Sequence, residues 1–224
     1  MTSVKALHLY DHCPFCVRVE LALGWMEISY QRIFYGYGDM EGPKKLTGKK
    51  ILPVLEDSDG NYHAESLDIV EWIQKAYPDK LCLAKQSERK DLKSWFERFQ
   101  PVSSSLTCPR LCKLTHLKDF STKEDVEYHH SKYESRNVDL KKLYDDSPKY
   151  IKEMNSLLFE FDKNLLQSSK AITGSSYSMD DIIYLPWLRN ITVVKGVEFP
   201  NKLKEYVTNA CREADVQLYT NYAC

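Results

Sequence analysis

The stretch VKALHLYDHCPFCVRVELALGW, residues 4–25, changes character halfway along. Val4–Tyr10 alternates apolar and polar positions among β-preferring residues, whereas Phe15–Trp25 is too long and too helix-friendly for a second buried strand. Cys13 and Cys16 sit at the change-over, with Pro14 and Phe15 between them. Proline suits a first helical turn, where the missing N–H has no intrahelical use, so Cys13 is predicted at the helix N-cap. Cys16, a turn later, is expected to be more buried and to point back toward Cys13, within reach of a disulfide. A thiol at a helix N-terminus meets unpaired N–H groups and the positive end of the dipole, both of which favour thiolate. Arg18 and His12 can add positive charge, and Asp11 opposes it if it faces the sulfur. The expected thiolate pKa lies in the range of roughly 3.5 to 7.5 found at such sites.

Downstream, Ile28–Tyr35 reads as a strand and residues 36–45, GYGDMEGPKK, as a Gly-rich loop. Ile51–Asp57, a turn at Ser58–Gly60 and Asn61–Ala64 form a predicted hairpin. A helix from Glu65 then places Ile69, Val70, Ile73 and Tyr77 on one stripe before Pro78 stops it. The order is βαβ, then ββα, a compact α/β domain over residues 1–78. Residues 79–87 read as a polar linker, and strand signals cease beyond them.

Residues 88–224 are expected to be all-α. Leu92, Trp95, Phe96 and Phe99 recur at helical spacing, and Ser121 with Glu124 reads as a capping box. Ser147 is a predicted N-cap before Pro148, and Ile151, Met154, Leu158, Phe161 and Leu165 form the apolar face of the helix that follows. Ser178 and Asp181 form a second predicted capping box, with Tyr177 stapling against Ile182; Pro186 is expected to kink that helix, and a last helix follows Pro200.

Thirty-one Lys and Arg against 32 Asp and Glu leave no basic field to gather nucleic acid or an anionic membrane. The start, MTSVKALHLY, lacks the apolar run and small-residue cleavage site of a secretory signal, and no membrane-length apolar stretch occurs. Seven scattered cysteines do not make a disulfide-stapled secreted domain. The expectation is a cytoplasmic protein in which the Cys13–Cys16 pair is redox-active. Two other uses stand beside it: half of a zinc site completed by Cys108 and Cys112, and inert packing. Cys82 and Cys224 read as passive thiols, Cys224 at a mobile end, and His129 and His130 as surface residues of a charged helix.

Two further features bear on chemistry. Pro53 interrupts the apolar run ILPVL, where a central strand rejects proline. A cis Leu52–Pro53 bond would leave the Leu52 backbone free to pair with an extended peptide-like ligand, and a trans proline on an edge strand is the alternative. At Glu65–Ser66 a helix opens whose Ser hydroxyl and free N–H groups can either hold a carboxylate or simply cap the helix.

The ordered set LYDHCPFC, LPVL and ESLDIVEW, followed by a helical domain containing SMDDI and LPWLRNITVVKGVEFP, resembles the glutaredoxins, and more closely the two-domain glutaredoxin 2 type. The likeness runs along nearly the whole chain. It implies a thioredoxin-like N-terminal domain and an all-α domain of glutathione-transferase-like architecture, with glutathione as cosubstrate and no metal. It makes Cys13 the attacking thiolate and Cys16 the resolving thiol. Leu52 and cis-Pro53 would hold the cysteinyl backbone of glutathione and Glu65–Ser66 its γ-glutamyl end, with Cys13 and Phe15 lining the same site. Phe15 stands where tyrosine is common in the family, so a hydroxyl is missing there. Lys49 or Lys50 would meet the glycine carboxylate.

The expected activity is glutathione-dependent thiol-disulfide exchange on glutathionylated or disulfide-containing proteins and small mixed disulfides, by a monomer. The rival readings are a cysteine-type glutathione transferase, a non-catalytic binding module of the same architecture, and iron–sulfur ligation by Cys13.

Overall fold

The computed structural model describes residues 2–224. Its contacts gather into two compact units. One holds the chain up to Cys82 together with Cys112–Arg136 and Ala214–Val216; the other holds Leu83–Leu111, Asn137–Glu213 and Gln217–Cys224. Among the described residues there are four strands and nine α-helices, arranged as a thioredoxin-like sheet-and-helix domain and an all-α domain.

The first unit is built on β1 (Val4–Leu9), α1 (Pro14–Trp25), β2 (Gln31–Phe34), α2 (Glu41–Thr47), β3 (Val54–Asp57), β4 (Tyr62–His63) and α3 (Ser66–Ala76). The strands lie in the order β2-β1-β3-β4, with β1 parallel to β2 and the other pairs antiparallel. Central β1 buries Ala6, Leu7 and Leu9 completely, and α1 does the same with Cys16, Val17, Val19, Leu21, Ala22 and Leu23. Ile69, Val70 and Ile73 of α3 complete this core, as their spacing foretold.

Several boundaries differ from the sequence reading. The stretch read as a Gly-rich loop contains α2, whose first N–H groups, those of Glu41 and Gly42, donate to Asp39 Oδ1, and whose end is turned by left-handed Gly48 (φ 78°). β3 starts only at Val54, because Pro53 brings no N–H to the ladder, and β4 shrinks to two residues.

Cys112–Arg136 belongs to this first unit and carries a 3₁₀ turn (Lys118–Phe120) and α5 (Lys123–Glu134). The capping box of α5 lies one residue later than expected: Thr122 Oγ1 accepts the Asp125 N–H, and Asp125 Oδ2 accepts that of Thr122. Asp125 Oδ1 also accepts the Gly38 N–H at 2.8 Å, and Tyr37 N–H donates to the Asp119 carbonyl at 2.8 Å, which fastens this arm to the loop after β2.

The second unit contains α4 (Lys90–Leu111), α6 (Leu140–Asp145), α7 (Ser147–Glu160), α8 (Met179–Ile191) and α9 (Asn201–Glu213). Trp95 sits between Phe99 and Phe161, with ring centroids 4.5 and 4.4 Å away, and its indole N–H donates to the Leu157 carbonyl. Met154, Leu158, Phe161 and Leu165 are buried as expected, Ile151 only partly, and α7 runs out in a π-helical turn at Phe161–Leu165. The N-cap of α7 is Asp146; Ser147 is already helical and its hydroxyl bonds the Tyr144 carbonyl. The Ser178–Asp181 capping box is formed as read. Ala84, in the predicted linker, pairs with Ser178 in a short β-bridge. Cys224 is tied down, its N–H donating to Val193 and its carbonyl accepting from Lys195 and Arg110, against the expectation of a mobile end.

Candidate active site

Cys13 occupies the N-cap of α1 in an extended conformation, with Pro14 in the first helical turn. Cys16 is fully buried, and both are free thiols. The Cys16 thiol donates to the Cys13 sulfur, and this bond does most to draw the Cys13 pKa down to about 6. Burial works against that shift; the charge of His12 and the N–H groups of Cys16 and Phe15 reinforce it. Burial and the adjacent Cys13 push Cys16 well above the ordinary thiol range. One member of the pair is therefore a thiolate at neutral pH and the other a thiol. Arg18 also senses the Cys13 anion; its guanidinium lies 4.8 Å from the centre of the Phe15 ring and 3.4 Å from Ser66 Oγ.

Beside Phe15 opens a cavity of about 200 Å³ lined by Phe15, Ile51, Leu52, Pro53, Glu65 and Ser66. The structure thus brings five of the residues singled out in the sequence onto one recess. The Leu52–Pro53 bond is cis, and Leu52 lies ahead of the point where β3 joins the ladder. Glu65, at the N-cap of α3, has φ 65°, a positive value that L-residues adopt uncommonly. Its own side chain does not cap the helix, while Ser66 at the first helical position is buried. Of the two lysines considered, Lys49 is exposed. Lys50 turns inward: its Nζ donates to the Tyr37 carbonyl at 2.6 Å and lies 3.5 Å from the centre of the Tyr128 ring, and burial pushes its pKa down to about 8.

Sequence reasoning missed the other side of Cys13. Asp119 is fully buried and its carboxylate accepts the backbone N–H groups of Asp11 and His12 at 3.0 and 2.8 Å. The same carboxylate lies 2.6 Å from Nδ1 of His12. The His12 ring packs against Tyr37 and Phe120, with centroids 4.7 and 4.8 Å away. Lys132 Nζ bonds the Tyr37 hydroxyl. His129, read as a surface residue, is buried among Tyr37, Phe120 and Tyr133, while His130 is exposed as expected. The sequence signal for this cluster is faint, because its buried members are aromatic and polar rather than aliphatic.

A family model described as the C-terminal domain of glutaredoxin 2 matches residues 91–223, and one described as the N-terminal domain of glutathione S-transferase matches residues 12–76. Glutaredoxin 2 of Escherichia coli strain K12 is 30% identical over 217 residues, covering 97% of this chain and 99% of its own. The crystal structure of glutaredoxin 2 from Salmonella typhimurium in complex with glutathione superposes with a TM-score of 0.92 at 29% identity over 99% of both chains. A glutathione transferase from Phanerochaete chrysosporium shares the fold at a TM-score of 0.67 and 15% identity, with 95% of this chain and 96% of that one covered. A thioredoxin-like domain with an acidic N-cap thiol beside a second thiol, carried with a glutathione-transferase-like helical domain, defines a thiol-disulfide oxidoreductase. The chain belongs to the glutaredoxin 2 family.

Proposed function

We propose that the protein reduces mixed disulfides between glutathione and protein or small-molecule thiols, using Cys13 as nucleophile and glutathione as reductant. What carries this reading is the acidic Cys13 thiol at the N-cap of α1, two residues before Phe15, which lines the recess with Leu52, Pro53, Glu65 and Ser66. Cys13 attacks the glutathione sulfur of the mixed disulfide; that S–S bond breaks, the substrate thiolate leaves and is protonated, and Cys13 is left bonded to glutathione. A glutathione thiolate then attacks the glutathione sulfur on Cys13, releasing oxidised glutathione and restoring the Cys13 thiolate. Leu52, Glu65 and Ser66 hold the tripeptide, with the helix-start N–H groups and Ser66 hydroxyl facing its α-carboxylate. The bound glutathione of the Salmonella relative supports the same ligand in this chain.

On a protein disulfide, Cys13 attacks one sulfur; the substrate S–S bond breaks, one substrate thiolate leaves with the negative charge and is protonated, and Cys13 stays bonded to the substrate as a neutral sulfur. Part of what raises the Cys16 pKa disappears with that charge. Cys16 then loses its proton more readily and attacks the Cys13 sulfur; the Cys13–substrate S–S bond breaks, the second substrate thiolate leaves and is protonated, and the Cys13–Cys16 disulfide that closes is reopened by two glutathiones, which leave as oxidised glutathione.

We assign the chemistry to residues 1–78, with 79–87 as linker and 88–224 as the helical domain, and place the protein in the cytoplasm as a monomer. Its balanced charge and lack of disulfide pairing support that setting. The test is steady-state turnover of the mixed disulfide of glutathione and a small thiol, coupled to glutathione reductase. Wild type is expected to turn over and Cys13→Ser to be inactive. Faster conjugation of an electrophile than reduction of the mixed disulfide would instead make it a cysteine-type transferase.

A further inference from the structure

We infer that Asp119 is a positioning residue for the Cys13 nucleophile, acting through His12: its carboxylate clamps the loop before the helix and fixes the His12 ring next in sequence to Cys13. The inference deepens the proposed function and rests on it.

Three bonds converge on one fully buried carboxylate, from the backbone N–H of Asp11, the backbone N–H of His12 and the His12 ring. The two backbone bonds fix the chain at the residues just before Cys13, so they set where the sulfur stands relative to the α1 N–H groups. The ring bond, His12 Nδ1 to Asp119 Oδ2, fixes the turn of the imidazole. Tyr10, Tyr37 and Phe120 close the ring in, their centroids 5.8, 4.7 and 4.8 Å from it. The carboxylate at 2.6 Å holds in place the ring whose charge helps draw the Cys13 pKa down. Titratable and charged groups facing this cluster include Lys132, which bonds the Tyr37 hydroxyl, Lys50, which bonds the Tyr37 carbonyl, His129 against Tyr37 and Phe120, and Arg18 toward Ser66. Cys13, the adjacent His12 and the carboxylate that orients its ring thus stand in series.

A purely structural Asp119 would stabilise the fold and leave the acidity of Cys13 alone. The two roles separate in a double-mutant cycle of Asp119→Asn and His12→Gln, read by the pH dependence of Cys13 alkylation with iodoacetamide. Asp119→Asn keeps the shape and one acceptor oxygen. It is expected to raise the Cys13 midpoint by about half a pH unit or more, His12→Gln to raise it at least as far, and the double variant to go no further than His12→Gln alone. An unchanged or lowered midpoint in Asp119→Asn, or full additivity in the double variant, would overturn the inference. If Asp119→Asn fails to fold by circular dichroism, His12→Gln alone decides, since a midpoint equal to that of wild type removes the link through which Asp119 acts. Because alkylation reports acidity and not turnover, wild type that alkylates as expected but reduces no mixed disulfide would sink the proposed function separately.

Discussion

Cys13 holds its proton far less tightly than an ordinary thiol, with a pKa near 6, and its partner Cys16 holds it more tightly. Alkylation of wild type should therefore rise with pH to half its maximum near pH 6 and then level off, with Cys16 silent throughout. Because the folded value is depressed, the thiolate contributes stability that is fully present above the unfolded thiol value of about 8.5 and is lost as pH falls through the folded one. The stability gap between wild type and Cys13→Ser, measured by urea denaturation, should shrink from pH 9 to pH 5; a gap constant with pH would show that Cys13 is uncharged in the fold. The Cys16 thiol contributes most to the shift. Cys16→Ala should thus raise the alkylation midpoint, and Cys16→Ser, which keeps a donor, should raise it less. Cys16→Ser is also expected to retain reduction of glutathione mixed disulfides while losing reduction of protein disulfides, and equal loss of both would show the two roles to be wrongly divided. The thiol pair and the odd placement of Pro53 were legible because each breaks a local rule in the sequence, although the sequence left cis and trans open at Leu52–Pro53 and the structure resolves it as cis. Asp119 breaks none: an aspartate in LKDFST reads as a surface loop, and only the fold puts it beside His12.

Among the elements, α8 has the most heavily bonded start. Asp181 Oδ2 accepts the Ser178 N–H and hydroxyl at 2.8 and 2.7 Å, while Oδ1 accepts the Ile172 N–H at 2.9 Å and the Tyr206 hydroxyl at 2.7 Å. Asp181→Ala would strand four donors in a region without solvent, an expected loss of at least about 3 kcal/mol in chemical denaturation. Helix α1 has the opposite sensitivity. A Cβ on Gly24 would lie 2.4 Å from both the Cα and the carbonyl oxygen of Ala214. Gly24→Ala should destabilise by about 1–3 kcal/mol even though alanine is the better helix former. An unchanged urea midpoint would show that the Ala214 segment yields. The capping signal of α8 was readable because Ser178 and Asp181 satisfy each other within one turn. Helix α2 was not, since Gly42 and Pro43 argue for a loop and the cap that overrides them, Asp39, lies before the helix. Helix α5 misled for another reason: its buried side is His129 flanked by tyrosines, which no apolar periodicity marks.

The molecule as a whole is a chain of 26.2 kDa with nearly equal numbers of acidic and basic residues, and among the described residues no helix is long and apolar enough to cross a membrane. Sedimentation equilibrium should return that mass, and twice that mass would refute the monomer. The α/β-then-all-α order was plain from where strand signals stop. What the order could not reveal is that the thiol-bearing unit is assembled from three separate stretches of chain. This has a consequence for its biosynthesis. The carboxylate that grips the His12 loop is 107 residues further on, a gap that a ribosome fills in roughly 5 to 20 s. Nascent chains stalled before Asp119 emerges should show sluggish alkylation of Cys13 at pH 7, and chains stalled well beyond it fast alkylation. The nucleophile is thus made early and matures late, after more than half of the polypeptide has been translated.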